Sequence, residues 1–212
     1  MLAWAEYVKI LVAVIVIVNP FGAIPAFVSL TGNQSARDRQ GTARVTAIAV
    51  GIVLALACLL GESLLRFFGI SMASFRVGGG ILVMLLAVTM FNAQLSGSKH
   101  TPEEAEEAQE KNDVSVVPLA VPLLSGPGAI STIIIYIDQA PDWTHNSVLI
   151  GICVLVALSV WITLRLAIPI GTALGKTGIN ILTRLMGLIL AAIAVEIIAS
   201  GLGQLLPGLM RK

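Results

Sequence analysis

Two stretches of this 212-residue chain carry the same polar break inside apolar surroundings. Asn19-Pro20-Phe21-Gly22-Ala23-Ile24-Pro25 interrupts one apolar run, and Ser125-Gly126-Pro127-Gly128-Ala129-Ile130-Ser131 interrupts another. Proline has no backbone N–H and clashes with the carbonyl four residues back, while Gly22 admits dihedrals that a Cβ forbids. Carbonyls and amides freed in hydrocarbon are costly unless something satisfies them, so each break must be buried in protein or line a polar cavity. Asn19 and Ser125 hold equivalent places, and each brings a donor and an acceptor. A half-helix starting after each break aims its free N–H groups and positive dipole end at the centre of the protein. Two such ends suit a small zwitterion, its carboxylate on amides at one break and its ammonium on carbonyls at the other. A plain kink is the competing reading of Pro20 or Pro127 alone. Matching breaks with a shared Gly-Ala-Ile tail favour a substrate site, because interrupted membrane helices at corresponding positions of two halves mark such sites. The candidate binding residues are Asn19, Pro20, Gly22 and Ala23 with Ser125, Gly126, Pro127, Gly128 and Ala129.

The ionisable residues form a second set, with coupling or gating as their candidate role. Glu196 lies deep in an apolar segment, where an acidic group is costly and points to function; a proton-coupling site and a place near the membrane interface are both open to it. Glu62 and Arg66 are four residues apart in the favourable order for a helical ion pair. Arg76 and Arg184 open two apolar segments, each followed three residues later by glycine; interface anchoring and charge pairing compete for both. Gly78-Gly79-Gly80 reads as a close helix contact, within one protomer or between protomers of a homo-oligomer. No enzyme site emerges: the serines have no base beside them, and His100 and His145 fall in loops without neighbouring metal ligands. No catalytic residue, metal or cofactor is expected.

The elements that must position these residues are membrane helices. With 57% hydrophobic and 12% charged residues and a mean hydropathy of +0.94, the chain is too apolar for a soluble domain. A lipid bilayer is its medium, and a net charge of +1 leaves no basic face for nucleic acid. Crossing the hydrocarbon takes about 20 apolar residues, and six segments qualify: 7–30, 45–65, 75–91, 114–137, 147–166 and 182–206. The first and fourth contain the breaks. Cys58 and Cys153, both mid-segment, read as free packing thiols. Between the third and fourth segments, Thr101-Pro102-Glu103-Glu104 has the form of a helix start, and the five glutamates of the loop read as an acidic surface helix.

That loop divides the chain into residues 1–98, a cytoplasmic loop at 99–113, and residues 114–212. The halves match beyond the breaks: Phe68-Gly69-Ile70-Ser71 precedes Arg76 and Gly79, and Thr177-Gly178-Ile179-Asn180 precedes Arg184 and Gly187. A repeat with three spans must enter the membrane from opposite sides, so the expected fold is all-α, six transmembrane helices in two inverted three-helix repeats. Arg37, Arg39, Arg44, Lys99, Lys111 and Lys176 outweigh Lys9, Arg66, Arg211 and Lys212 across the two sides, which places the first set in the cytoplasm and both termini outside.

Taken in order, Asn-Pro-Phe-Gly-Ala-Ile-Pro (19–25), Gly-Glu (61–62), Phe-Gly-Ile-Ser with Phe-Arg-x-x-Gly-Gly (68–80), Val-Pro-Leu-Ala-x-Pro-Leu-x-x-Gly-Pro-Gly-Ala-Ile (117–130) and Thr-Gly-Ile-Asn with Thr-Arg-x-Met-Gly-Leu (177–188) resemble the MarC/SnatA family of bacterial and archaeal inner-membrane proteins. The resemblance covers nearly the whole chain. It implies six transmembrane helices within a superfamily of amino-acid and ion exporters related to the lysine exporter. It also implies transport of small neutral amino acids, glycine and alanine first, coupled to a proton gradient. A small-solute or ion channel, and a non-transporting scaffold acting through the acidic loop, are the alternatives.

Overall fold

The computed structural model describes residues 2–92, 124–140 and 142–210, and it is helical throughout. The elements are α1 (Trp4–Val18), α2 (Ile24–Leu30), α3 (Ala36–Phe67), α4 (Met72–Phe91), α5 (Pro127–Ile137), α6 (Trp143–Arg165) and α7 (Ala167–Leu205), followed by a 3-10 turn at Pro207–Met210. Local chemistry explains most boundaries. Asn19 ends α1 in the left-handed conformation (φ 47°), which Asn adopts more readily than most residues. Pro25 occupies the first turn of α2 and Pro127 that of α5, where a missing N–H costs nothing. The side chains of Ser35, Ser71 and Asp142 cap α3, α4 and α6 by accepting from backbone N–H groups.

Four helices, α3, α4, α6 and α7, are long and apolar enough to cross a membrane. α1, α2 and α5 are shorter, because the breaks cut them. Exposed leucine, isoleucine and valine recur at three-, four- or seven-residue spacing along α3 (Ile48, Ile52, Leu56, Leu59) and α7 (Ile181, Leu185, Leu188, Val195). Such stripes belong against lipid. At 32 residues α3 is about 48 Å long, more than the hydrocarbon thickness. Its polar first turns, 36–44, therefore stand outside the apolar layer.

Small residues set the packing. α4 and α7 run antiparallel in close contact: a Cβ on Gly201 would lie 2.9 Å from the Ala73 carbonyl oxygen, and one on Gly187 would lie 2.9 Å from the Ala87 oxygen and the Phe91 nitrogen. Gly80 faces Ile197 and Ile198 on α7, and Gly79 lets Ser131 of α5 approach. Gly78, between helix faces, meets nothing. α3 packs on α6 with Gly51 against Ala157, and Ile134 of α5 fills the place a Gly61 side chain would take. α1 lies against α5, α6 and α7. The core runs through all these layers, with Val14, Leu54, Val83, Ile133, Val156 and Leu190 fully buried. Cys58 and Cys153 are buried free thiols within it.

Three expectations change. Residues 167–181, read as a loop, are helical: α7 begins one residue after α6 ends and is broken at Gly175 (φ 62°, ψ 179°). The first segment packs on α2, with Gly171 beside Ile24. Second, the sequence match of Gly69 with Gly178 is not a conformational match, because the left-handed positions are Gly69 and Gly175. Third, His145 is not in a loop but in the first turn of α6, fully buried. The acidic loop, His100, Pro118, Pro122 and the first part of the fourth segment lie outside the described residues.

The α4–α7 contact yields a direct test. Gly187→Ala should destabilise the protein by about 1–3 kcal/mol, since a methyl would be forced against backbone on the partner helix. Gly78→Ala, with open space around it, should leave the thermal midpoint in detergent unchanged or slightly raised.

Candidate functional site

The first break is held open by its own residues. Asn19 N–H donates to the Ile15 carbonyl at 2.9 Å, closing α1, and Gly22 N–H donates to Asn19 Oδ1 at 3.1 Å. That leaves Asn19 Nδ2 buried with no partner. Pro20 and Ala23 are buried beside it, and Gly22 is half-buried. At the second break Ala129 and Ile130 N–H both donate to the Gly126 carbonyl, at 2.9 and 3.2 Å. Pro127 has no N–H, so in the first turn of α5 the Gly128 N–H is left without an acceptor among the described residues. Ser125 is 1% exposed, and its Oγ too has no partner. Buried polar groups are rarely unsatisfied; here one stands at each break.

The two breaks adjoin. A Cβ on Gly128 would lie 3.9 Å from Ile17 Cγ2, in the last turn of α1, and 3.5 and 3.7 Å from Leu86 and Val83. Asn19, Ala23, Ser125, Gly128 and Ala129 are all buried, whereas Pro127 is exposed and Gly126 half-buried. Pro127 starts α5 and is the most exposed of these candidates.

A cavity of about 530 Å³ opens at the end of the bundle nearest the N-terminus. Its walls include Glu6, Lys9 and Ala13 of α1, Tyr136 of α5 and Gln139 just beyond it, and Glu196 and Ser200 of α7, with Arg76 of α4. Arg76 is 12% exposed in its side chain and binds Asp138 Oδ2 at 2.9 Å and Ser200 Oγ at 3.0 Å. One guanidinium thus ties α4, the end of α5 and α7 together. Lys9 is paired with Glu6 at 2.7 Å. Glu196 is exposed and has no hydrogen-bond or ion-pair partner among the described residues. The structure brings Arg76 and Glu196 to one cavity but leaves the other two charged candidates outside its lining. Glu62 and Arg66 form an exposed pair at the end of α3. Arg184, which the sequence aligns with Arg76, is exposed without a partner among the described residues.

Sequence reasoning missed a buried cross-link close by. His145 Nε2 meets the Tyr136 carbonyl at 2.9 Å, and Tyr7 Oη meets Nδ1 at 3.1 Å. A carbonyl only accepts, so Nε2 carries a proton and donates to it; with the ring neutral, Nδ1 is the acceptor for the tyrosine hydroxyl. The bond joins α1, α5 and α6 beneath the cavity residue Tyr136. Asp138 was also missed. Its carboxylate two residues after Tyr136 was the available signal, since Arg76 needed a partner.

The model of the MarC family, described as MarC family integral membrane protein, matches residues 4–206. UPF0056 membrane protein YhcE of Escherichia coli is 39% identical over 207 residues, covering 96% of this chain and 95% of its own length. A UPF0056 membrane protein of Methanocaldococcus jannaschii is 41% identical over 188 residues, with coverage of 88% and 90%. One from Buchnera aphidicola of Acyrthosiphon pisum is 37% identical over 204 residues, with coverage of 96% and 95%. No solved structure matches. A family match across nearly every described helix, together with helices suited to cross a bilayer, makes this chain a member of the MarC family of integral membrane proteins.

Proposed function

We propose that the chain is a secondary transporter of small neutral amino acids, glycine and alanine first, driven by a proton gradient across the inner membrane. The observation that carries this reading is the pair of adjoining helix breaks, each presenting a buried polar group without a partner: Asn19 Nδ2 and Ser125 Oγ. The substrate carboxylate takes the free Gly128 N–H at the positive end of α5, with Asn19 Nδ2 as a second donor. The ammonium takes the carbonyls that the last turn of α1 leaves free, at the negative end of that helix. Ser125 Oγ can serve either group. Ile17, Val83 and Leu86 surround Gly128 at ordinary contact distance from a built Cβ, an apolar wall that favours a hydrogen or a methyl on the substrate and makes a charged side chain costly.

In this reading α1 with α2 is one interrupted span and the apolar segment that ends in α5 is another, which with α3, α4, α6 and α7 gives six spans. Packing agrees with an inverted repeat in two pairs: α3 lies on α6 and α4 on α7, each meeting its counterpart, and α4 and α7 are antiparallel; α5, the counterpart of α2, packs on α1 instead. Alternating access is then a rocking of α1, α2 and α5 against the frame of longer helices. Glu196, unpaired in the cavity, is the group proposed to carry the coupling proton. The basic end of α3, with Arg37, Arg39 and Arg44, faces the cytoplasm, and both termini lie outside.

Two outcomes follow. Purified protein in proteoliposomes should take up labelled glycine saturably, faster under an imposed pH gradient, with unlabelled glycine inside accelerating exchange. Uptake linear in concentration without counterflow would instead mean a channel. Gly128→Ala should fold normally, since its methyl meets only ordinary contacts of 3.5–3.9 Å. It should nevertheless raise the KM for alanine by roughly tenfold or more, the scale of one methyl in a tight pocket. An unchanged KM would place the site elsewhere.

A further inference from the structure

α5 presents one continuous face between the cavity and the second break. Ile135, Tyr136 and Gln139 line the cavity, and Gly128 meets Ile17 at the break. Thr132 stands four residues after Gly128, and three and four before Ile135 and Tyr136, on the same helical face. α1 offers the matching face. Ile10 and Ala13 line the cavity, and Ile17, one turn further on, packs beside Gly128. Thr132 therefore lies midway between the open cavity and the buried break.

Its side chain is unusual for its surroundings. Thr132 is 0% exposed, and its Oγ1 has no hydrogen-bond partner. A helical threonine or serine normally escapes this by bonding back to the carbonyl three or four residues earlier. Thr31, Ser131, Ser147 and Thr172 all do so. Thr132 does not, although Gly128 and Ala129 carbonyls are within one turn of it. A hydroxyl held away from its own backbone, inside a packed helix interface, is destabilising unless it finds a partner in another state.

Building on the transport reading, we infer that Thr132 is a substrate-contacting residue on the path between the cavity and the helix breaks. Its hydroxyl accepts from the ammonium and donates to the carboxylate of the zwitterion as it passes. Ile10, Ala13 and Ile17, each at most 3% exposed, close that path here. When α1 moves away from α5, the hydroxyl and the two break-site groups open along one line.

Thr132→Val and Thr132→Ser test this in the full chain, reconstituted in proteoliposomes with labelled glycine. The valine variant should be at least as stable as the parent protein, because it removes an unpartnered hydroxyl while keeping the shape. Its glycine KM should rise by roughly tenfold, the loss expected for one hydrogen bond to a charged group. The serine variant should restore the KM to within about twofold, because it keeps the hydroxyl. An active valine variant with unchanged KM and kcat would overturn the inference, leaving Thr132 a space-filling residue. So would a valine variant that loses stability and activity together, with serine restoring both, since that marks a structural hydrogen bond. Failure of the parent protein itself to transport glycine would overturn the transport reading, and this inference with it.

Discussion

A helix that stops inside a membrane exposes backbone groups that hydrocarbon cannot satisfy, and this constraint organises the whole molecule. α1 stops at Val18 and α5 starts at Pro127, so both ends need protein around them. α3, α4, α6 and α7 supply it, with lipid-facing stripes outside and the short helices between them. Even with that enclosure the accounts do not fully close. Asn19 spends its carbonyl oxygen on Gly22 and keeps an idle amide hydrogen, and Ser125 and the Gly128 N–H stay without protein partners among the described residues. Polar capacity held in reserve at a buried point is what a binding site for a small polar molecule requires.

The closely packed long helices and the broken ones are held by different residues. α4 and α7 meet through Gly80, Gly187 and Gly201 at backbone contact distance, which leaves little freedom for sliding. α1 and α5 meet more loosely near the break, where Gly128 has ordinary contacts only. They are joined to their surroundings by specific polar links, Tyr7 with His145 and Arg76 with Asp138 and Ser200. A close-packed pair beside elements held by a few breakable bonds is a physical basis for motion of one group against the other.

The sequence made the breaks legible because Pro20, Gly22, Pro127 and Gly128 disrupt a helix by covalent structure alone, whatever surrounds them. Long apolar runs gave α3, α4 and α6 for the same local reason. What was not legible depended on distant partners. Arg76 and Arg184 look alike in sequence, yet among the described residues Arg76 alone of the two has a carboxylate brought to it, from Asp138 at the end of another helix. His145 reads as a loop residue because it lies between the segments 114–137 and 147–166, and nothing nearby in sequence points to its partners at positions 7 and 136. The segment 167–174 falls between two apolar segments and carries Pro169 and Gly171; packing on α2 overrides their weak disfavour for helix. Thr132 sat in an apolar run where a threonine ordinarily bonds back to its own helix; only the three-dimensional structure reveals that it does not.

The most direct test of the account is whether substrate occupies the breaks. Ser125→Cys, in a chain whose Cys58 and Cys153 are replaced by alanine, provides a thiol at the second break. Its rate of modification by a small membrane-permeant thiol reagent should be measured with and without glycine, in protein that still transports. The account predicts that glycine slows modification over the same concentration range that saturates uptake. Modification at an equal rate with saturating glycine present would contradict it, and would move the binding site away from the broken helices.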